Sequence, residues 1–407
     1  MKNIFRTIFA LVLTCSLIFS CSDDDDNTVD NSNGITKSAV LGNYVNIVYQ
    51  SYKDSYDSSV KMQTAINSFV DNPTENGFNE VKNAWLASRE PYGQTEAYRE
   101  SNGPIDTPNG GIEGQINAWP LDENYIDYVR VDFTDSNSAV TSDGIINDTS
   151  VTIDEATLIG ANEGTGGNGV PEKNISTGYH AIEFLLWGQD FADPSNGMAG
   201  QRPYTDYVTD GSGTNANQDR RGTYLKIVTD ILVKDLKSLV DAWDEGGAYR
   251  TAFLGLPEEE ALKNMIAGIF FMTGEELSTE RMAVAVEQNQ EDEHSCFSDN
   301  THRDIFTNAL GVNNVIFGQY GSITGASLYD LVKEQDPDQA EKLKTASEES
   351  ISKINTILSS ITDTKRFDQL IEEETLTSGG IIISAVNALK AQANEISASA
   401  SILNITL

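Results

Sequence analysis

Cysteine, histidine and positive charge are all scarce in this chain of 407 residues, and each scarcity excludes something. The cysteines are Cys15, Cys21 and Cys296. The first two lie in or at the edge of an apolar N-terminal stretch. Once that stretch is processed, Cys296 has no intramolecular disulfide partner, and stability must come from packing. The histidines are His180, His294 and His302, and none belongs to a His-Glu-x-x-His zinc-peptidase motif. Lysine and arginine number 27 against 62 acids, a formal charge of −35. Such a surface excludes sequence-independent nucleic-acid binding, which displaces counterions with Lys and Arg. It also disfavours docking on anionic lipid and leaves cations as compatible partners. A hydrophobic share of 39% still describes a folded chain, long enough for two or three domains.

The N-terminus reads as a targeting segment. Lys2 and Arg6 form a basic start, and Ile8 to Phe19 is apolar apart from Thr14, Cys15 and Ser16. That length suits a signal peptide and is short for a bilayer span of roughly 20 residues. Ile18-Phe19-Ser20-Cys21 followed by Asp23 to Asp26 resembles a bacterial lipoprotein cleavage box, with Cys21 as the lipidated first residue. The acidic start resembles export tags on surface lipoproteins of Bacteroidetes-type bacteria. The expected organisation is a signal peptide over 1–20, a flexible acidic tether over 21–37, and a product lipid-anchored to the outer membrane, facing the cell surface or the periplasm.

Beyond the tether the apolar period is helical. Leu41, Tyr44, Val48, Tyr52, Met62, Ile66 and Phe69 predict a helix over 38–69, and a second follows over 80–100 with a kink at Pro91. Residues 101–171 are rich in Gly, Asn and Asp, a long irregular segment whose aromatics and acids suit a site-forming loop. Helical patterns return over 174–188, 220–243, 257–288, 337–361 and 378–403. Pro257 before three glutamates is a favourable helix start. No run of alternating strand residues stands out. The class is all-α, with an N-terminal helical domain over 38–209 and a C-terminal helical bundle over 220–407, joined by the polar stretch 210–219.

The most informative stretch runs from Gly178 to Asp190. His180 and Glu183 stand at i and i+3, so on a helix they share a face with Cβ atoms about 5–6 Å apart. An imidazole nitrogen and a carboxylate at that spacing can reach one ion. Phe184, Leu185, Leu186 and Trp187 make the helix apolar, and a buried His and Glu need partners. This string, Gly-x-His-x-x-Glu, resembles the signature of the imelysin family of insulin-cleaving membrane proteases. The resemblance extends to Trp85 through Tyr92 with Glu96 and Arg99, to Gly103 through Asp106, to Glu113-Gly114 with Asn117 through Asp122, and to Glu293 through His302. It covers residues 38–407.

The resemblance implies two mainly helical domains with a site between them. It implies His180, Glu183, Glu96 and Glu113 as metal candidates, with Arg89, Tyr92, Arg99, Asp122, Ser298, Asp299 and His302 as further cavity candidates. Each has a plainer reading: Glu96 can pair with Arg99 along its helix, and Ser298 or Asp299 can cap the helix that begins near Arg303. Trp119 and Trp187 read as core, and Cys296 as a small buried side chain. The family carries a metallopeptidase label, and relatives are associated with iron regulation and metal uptake. Few histidines among many carboxylates suit iron, manganese or calcium better than a zinc site, and iron is the expected metal. The expected function is an envelope lipoprotein binding a divalent metal, or a metal-bearing ligand, for uptake with unnamed envelope partners. A metal-dependent peptidase using Glu183, and a non-catalytic structural surface protein, stand beside it.

Overall fold

The computed structural model describes residues 34–106, 111–132, 138–163, 171–190, 199–288, 292–362, 364–377 and 379–407. The signal, Cys21 and the tether up to residue 33 lie outside the described residues. Residues 35–407 form one compact unit.

Helix α1, Lys37–Asp71, starts where the Thr36 hydroxyl accepts from the Ala39 N–H. Its predicted stripe is buried from Leu41 to Phe69. Helix α2, Glu75–Thr95, runs through Pro91 and passes into a 3-10 turn at Glu96–Tyr98. Helix α3, Gly178–Trp187, is buried along its whole length. Helix α4, Gln218–Trp243, packs on α1 and α3, so it sits with the elements that precede it. Two contacts pin its first turn. Arg220 donates to the carbonyls of Ile145, Ile146, Asp148 and Val151, and Arg221 clasps Asp127 at 2.6 Å.

The second packed group comprises α5, Glu258–Phe271, its continuation Met272–Ala283, α6, Thr301–Phe317, α7, Pro337–Ser360, and α8, Ile381–Ile402. Helix α6 also lies on α2, and α5 on α1, so the two groups share one core. The described strands are two-residue pairs, Val129–Arg130 with Val140–Thr141 and Gln319–Tyr320 with Ile323–Thr324. No described helix is long and apolar enough to cross a membrane. The fold is all-α, as the helical period predicts.

Residues Met272–Ala283 are wound as a π-helix. With i to i+5 hydrogen bonding, residues four and five apart face the same way. Glu276 and Arg281 are five apart, and Arg281 Nε donates to Glu276 Oε1 at 3.0 Å. In an α-helix these two would diverge. The wide turn carries Glu276, Glu280 and Arg281 to one wall of a cavity.

Candidate functional site

The glycine of the Gly-x-His-x-x-Glu string has a steric role. Gly178 opens α3 at φ 86°, and a Cβ there would meet the Ile116 carbonyl oxygen at 2.4 Å. Only glycine lets the helix start against the turn Glu113–Ile116. One turn on, His180 Nδ1 lies 2.7 Å from Glu183 Oε2, with both side chains fully buried. The other Glu183 oxygen accepts from the Ser298 N–H at 2.9 Å and the Ser298 hydroxyl at 2.6 Å.

The far face of His180 meets a second histidine. His180 Nε2 lies 3.3 Å from His294 Nε2, and the rings cross at 82°. Arg89 Nη2 donates to the same His294 nitrogen at 3.2 Å, with Asn117 Nδ2 at 3.4 Å. Arg89 in turn donates from Nε to Asp304 at 3.1 Å and from Nη1 to Asn117 Oδ1 at 2.5 Å. Burial raises the Glu183 carboxyl to about 8, against the opposing pull of the Ser298 hydrogen bonds and Arg89. Burial also holds both imidazoles well below their usual value, and Arg89 and Arg281 add repulsion. Burial thus disfavours the charged form of all three groups, and both imidazoles are neutral at neutral pH. Arg89 and Asn117 both direct N–H groups at His294 Nε2, and His180 Nε2 faces the same nitrogen.

His294 lines a cavity of about 360 Å³, walled by Trp119, Pro120, Asn117, Arg99 and the π-helical Glu276, Glu280 and Arg281. Glu113, Glu163, Glu172 and Asp292 add further carboxylates to its lining. The Trp119 ring packs on His180 with centroids 4.8 Å apart, and its buried Nε1 has no partner. Arg281 reaches Glu96 and Asn308, and Arg99 donates to Glu276 at 2.9 Å. Glu113 lies 3.6 Å from Arg99, and burial lifts its carboxyl to about 7 despite that cation.

The structure gathers most of the residues singled out from sequence. His180, Glu183, Arg89 and Ser298 form the inner network, and Glu96, Arg99 and Glu113 belong to the arginine–carboxylate cluster beside it. Tyr92 is buried beneath, its ring 5.4 Å from the Arg89 guanidinium. Three candidates stand apart. Asp122 is exposed and caps a short helix by accepting from the Asn124 N–H. Asp299 is buried near Arg366, with its carboxyl raised to about 7 by burial and by Asp368. His302 is half-buried, lowered to about 4 by burial and Arg303, and its Nδ1 has no hydrogen-bond partner. Sequence reasoning did not name His294, Asn117, Arg281 or Asp304 as site residues. His294 lay inside a family-like polar block, and its side chain was the signal available. Arg281 had none, because its face depends on the π-helical turn.

The two histidines fit part of a metal centre. Two nitrogens on one tetrahedral ion at about 2.0–2.1 Å lie about 3.3 Å apart, which matches the separation between His180 and His294. Both rings are neutral, as ligands must be. Glu183 meets the opposite nitrogen of His180, where a carboxylate orients a ligating imidazole. Among the described residues no group of three or more His, Cys, Asp and Glu is placed to hold an ion. The chain thus offers two nitrogens, with the open cavity beside His294.

Residues 48–396 match the profile of the imelysin family, also designated peptidase family M75. Iron-regulated protein A of Synechococcus elongatus is 22% identical over 321 residues, covering 76% of this chain and 72% of that protein. A crystal structure assigned as an iron-regulated protein A precursor from Parabacteroides distasonis superposes with a TM-score of 0.65 at 19% identity. It covers 91% of this chain and 97% of its own. An imelysin-like protein from Psychrobacter arcticum gives 0.58 at 11% identity, covering 91% and 98%. These likenesses extend the shared fold over nearly the whole described chain.

Proposed function

The chain belongs to the imelysin family, and for this member we propose that it binds iron as a metal-bearing ligand at the His180/His294 pair. The observation that carries this reading is the 3.3 Å approach of two neutral imidazole nitrogens beside an open cavity. Two protein donors leave most of an ion's coordination to be filled from outside. Arg99, Arg281 and Asn117 in the cavity lining are suited to the anionic groups of a chelator. The acids Glu163, Glu172, Glu280 and Asp292 add a negative field that draws cationic species toward the opening. Iron is favoured over zinc because the donor set lacks thiolates and a third histidine, and because the Synechococcus relative is named for iron regulation.

Glu183 is in this reading the orienting partner of His180 rather than a ligand. Its two oxygens are taken by Ser298 and by His180 Nδ1. The same engagement weighs against proteolysis, which needs a carboxylate free to act as base on bound water. The sequence at Cys21 supports an anchored envelope location, with the acidic tether giving reach from the lipid.

Calorimetric titration of ferrous ion and of ferric citrate into metal-free protein tests the assignment. Wild type is expected to bind at least one of them, and His180→Ala and His294→Ala to abolish binding without unfolding. No binding tighter than millimolar, and no change in melting temperature on adding either probe, would remove the metal reading.

A further inference from the structure

A second cavity, of about 330 Å³, opens between the C-terminal end of α3 and the segment that leads to α4. Its chemistry is the reverse of the first. Six carboxylates line the cavity beside His294, whereas the described lining here holds Arg130 and Arg202 and no carboxylate. That is unusual in a chain whose acids outnumber its bases 62 to 27. The rest of the lining is aromatic, amide or hydroxyl, with Trp187, Gln201 and Asn215 among it.

Arg202 is the centre of this cavity. It is 5% exposed, and its Nη1 donates to Asp127 at 2.7 Å and to Asp206 at 3.3 Å. Its Nε, also buried, has no hydrogen-bond partner. A charged donor left unpaired in a buried position is costly, and native structures rarely leave one without a reason. The chain also keeps the space beside it clear. Gly188 closes α3 at φ 73° and lines the cavity, and a Cβ there would come within 3.5 Å of that Nε and 3.2 Å of the Arg202 Cβ. Behind the wall, Lys82 Nζ stands 5.2 Å from the Trp187 ring centroid, adding a third positive charge. Burial and Arg202 lower that ammonium to about 8, so it remains largely charged at neutral pH.

We infer that this cavity is a second binding site, for a small hydroxylated carboxylate such as a sugar acid. The carboxylate accepts from the unpartnered Arg202 Nε–H and from Arg130, the geometry in which guanidinium groups recognise carboxylates. The neutral amides of Gln201 and Asn215 face hydroxyls better than charges, and Trp187 supplies an apolar wall for a ring face. The volume is at the lower end of small-molecule sites and suits one monosaccharide-sized ligand. The inference is independent of metal binding, since none of these residues touches His180 or His294 in the network above.

Titration of glucuronate, glucose and inorganic phosphate into the metal-free protein tests it. Saturable glucuronate binding is expected, with glucose at least about tenfold weaker because it lacks the charge that the arginines read. Arg130→Gln should weaken glucuronate about tenfold with little change in melting temperature, since Arg130 is half-buried and its guanidinium donates from Nη1 to the Ser138 carbonyl at the chain surface. Gln201→Ala, at an exposed position, should weaken it severalfold, and His294→Ala should bind as wild type does. Absence of saturable glucuronate binding overturns the site. Equal affinity for glucose, tighter binding of phosphate, or an Arg130→Gln variant that binds as wild type does overturns the ligand class.

Discussion

Nε2 of His180 and Nε2 of His294 are 3.3 Å apart across 114 residues of sequence, and the contact joins the two packed groups of helices. Glu183 and Ser298 repeat the connection one turn away. Helix α3 supplies one imidazole from the first group, and the loop ahead of α6 supplies the other. Any ligand that engages both nitrogens therefore stabilises the association of the two groups.

Removal of either imidazole should be equivalent for binding. His294→Ala is expected to lose metal affinity as completely as His180→Ala, while Glu183→Gln, which replaces the carboxyl that orients His180 with an amide, should lose about 10–100-fold. Calorimetry on the three variants reads this directly. A Glu183→Gln variant that loses binding as completely as His180→Ala would restore Glu183 as a ligand.

Arg89 is the structural keystone of the network and should behave as one. Arg89 and Asp304 are each 1% exposed and pair at 3.1 Å. Arg89→Ala leaves the Asp304 carboxylate buried beside only Ser295 and Asn300, and should cost about 3–5 kcal/mol in urea unfolding. Arg89→Met combined with Asp304→Asn removes both charges and should recover part of that loss. A single variant within about 1 kcal/mol of wild type would mean that the pair is not desolvated as the packing indicates.

Asp299 predicts a pH dependence of stability. Burial and Asp368 raise its carboxyl to about 7 in the folded chain, above its ordinary value near 3.8. Between those values the unfolded chain has lost a proton that the folded chain keeps, so this group's contribution falls as pH rises from about 4 to 7. Asp299→Asn abolishes the titration, and Asn tolerates the left-handed backbone at φ 58°. The variant should melt higher than wild type at pH 8 and show a flatter profile from pH 5 to 8. Parallel profiles for the two proteins would refute the assignment.

The anchor can be tested apart from the site. Cys21→Ala should release the protein from the membrane fraction, because one residue carries the acyl chains. Unchanged membrane retention with a free N-terminus would refute lipidation.

The helices were legible because burial imposes a 3.6-residue period: the predicted span 38–69 is found as Lys37–Asp71, and 337–361 as Pro337–Ser360. His180 and Glu183 were legible for the same reason, since their contact is local, three residues along one helix. Asp122 was misleading because the acid that follows a Pro-Leu pair in a polar segment serves equally well as a helix cap, and that is the role it takes. The tertiary structure alone decided the rest. His294 meets His180 only because α6 lies on α2 and brings its preceding loop to α3. Arg281 reaches the cavity only because its segment is wound five residues to the hydrogen bond, a change that packing imposes and that no apolar period records. The sequence by itself determined the all-α class, the approximate positions of most long helices and one half of the histidine pair, all set by interactions within a few residues. The second half, and the arginine cluster around it, depend on contacts between residues far apart in the chain, which no local pattern encodes.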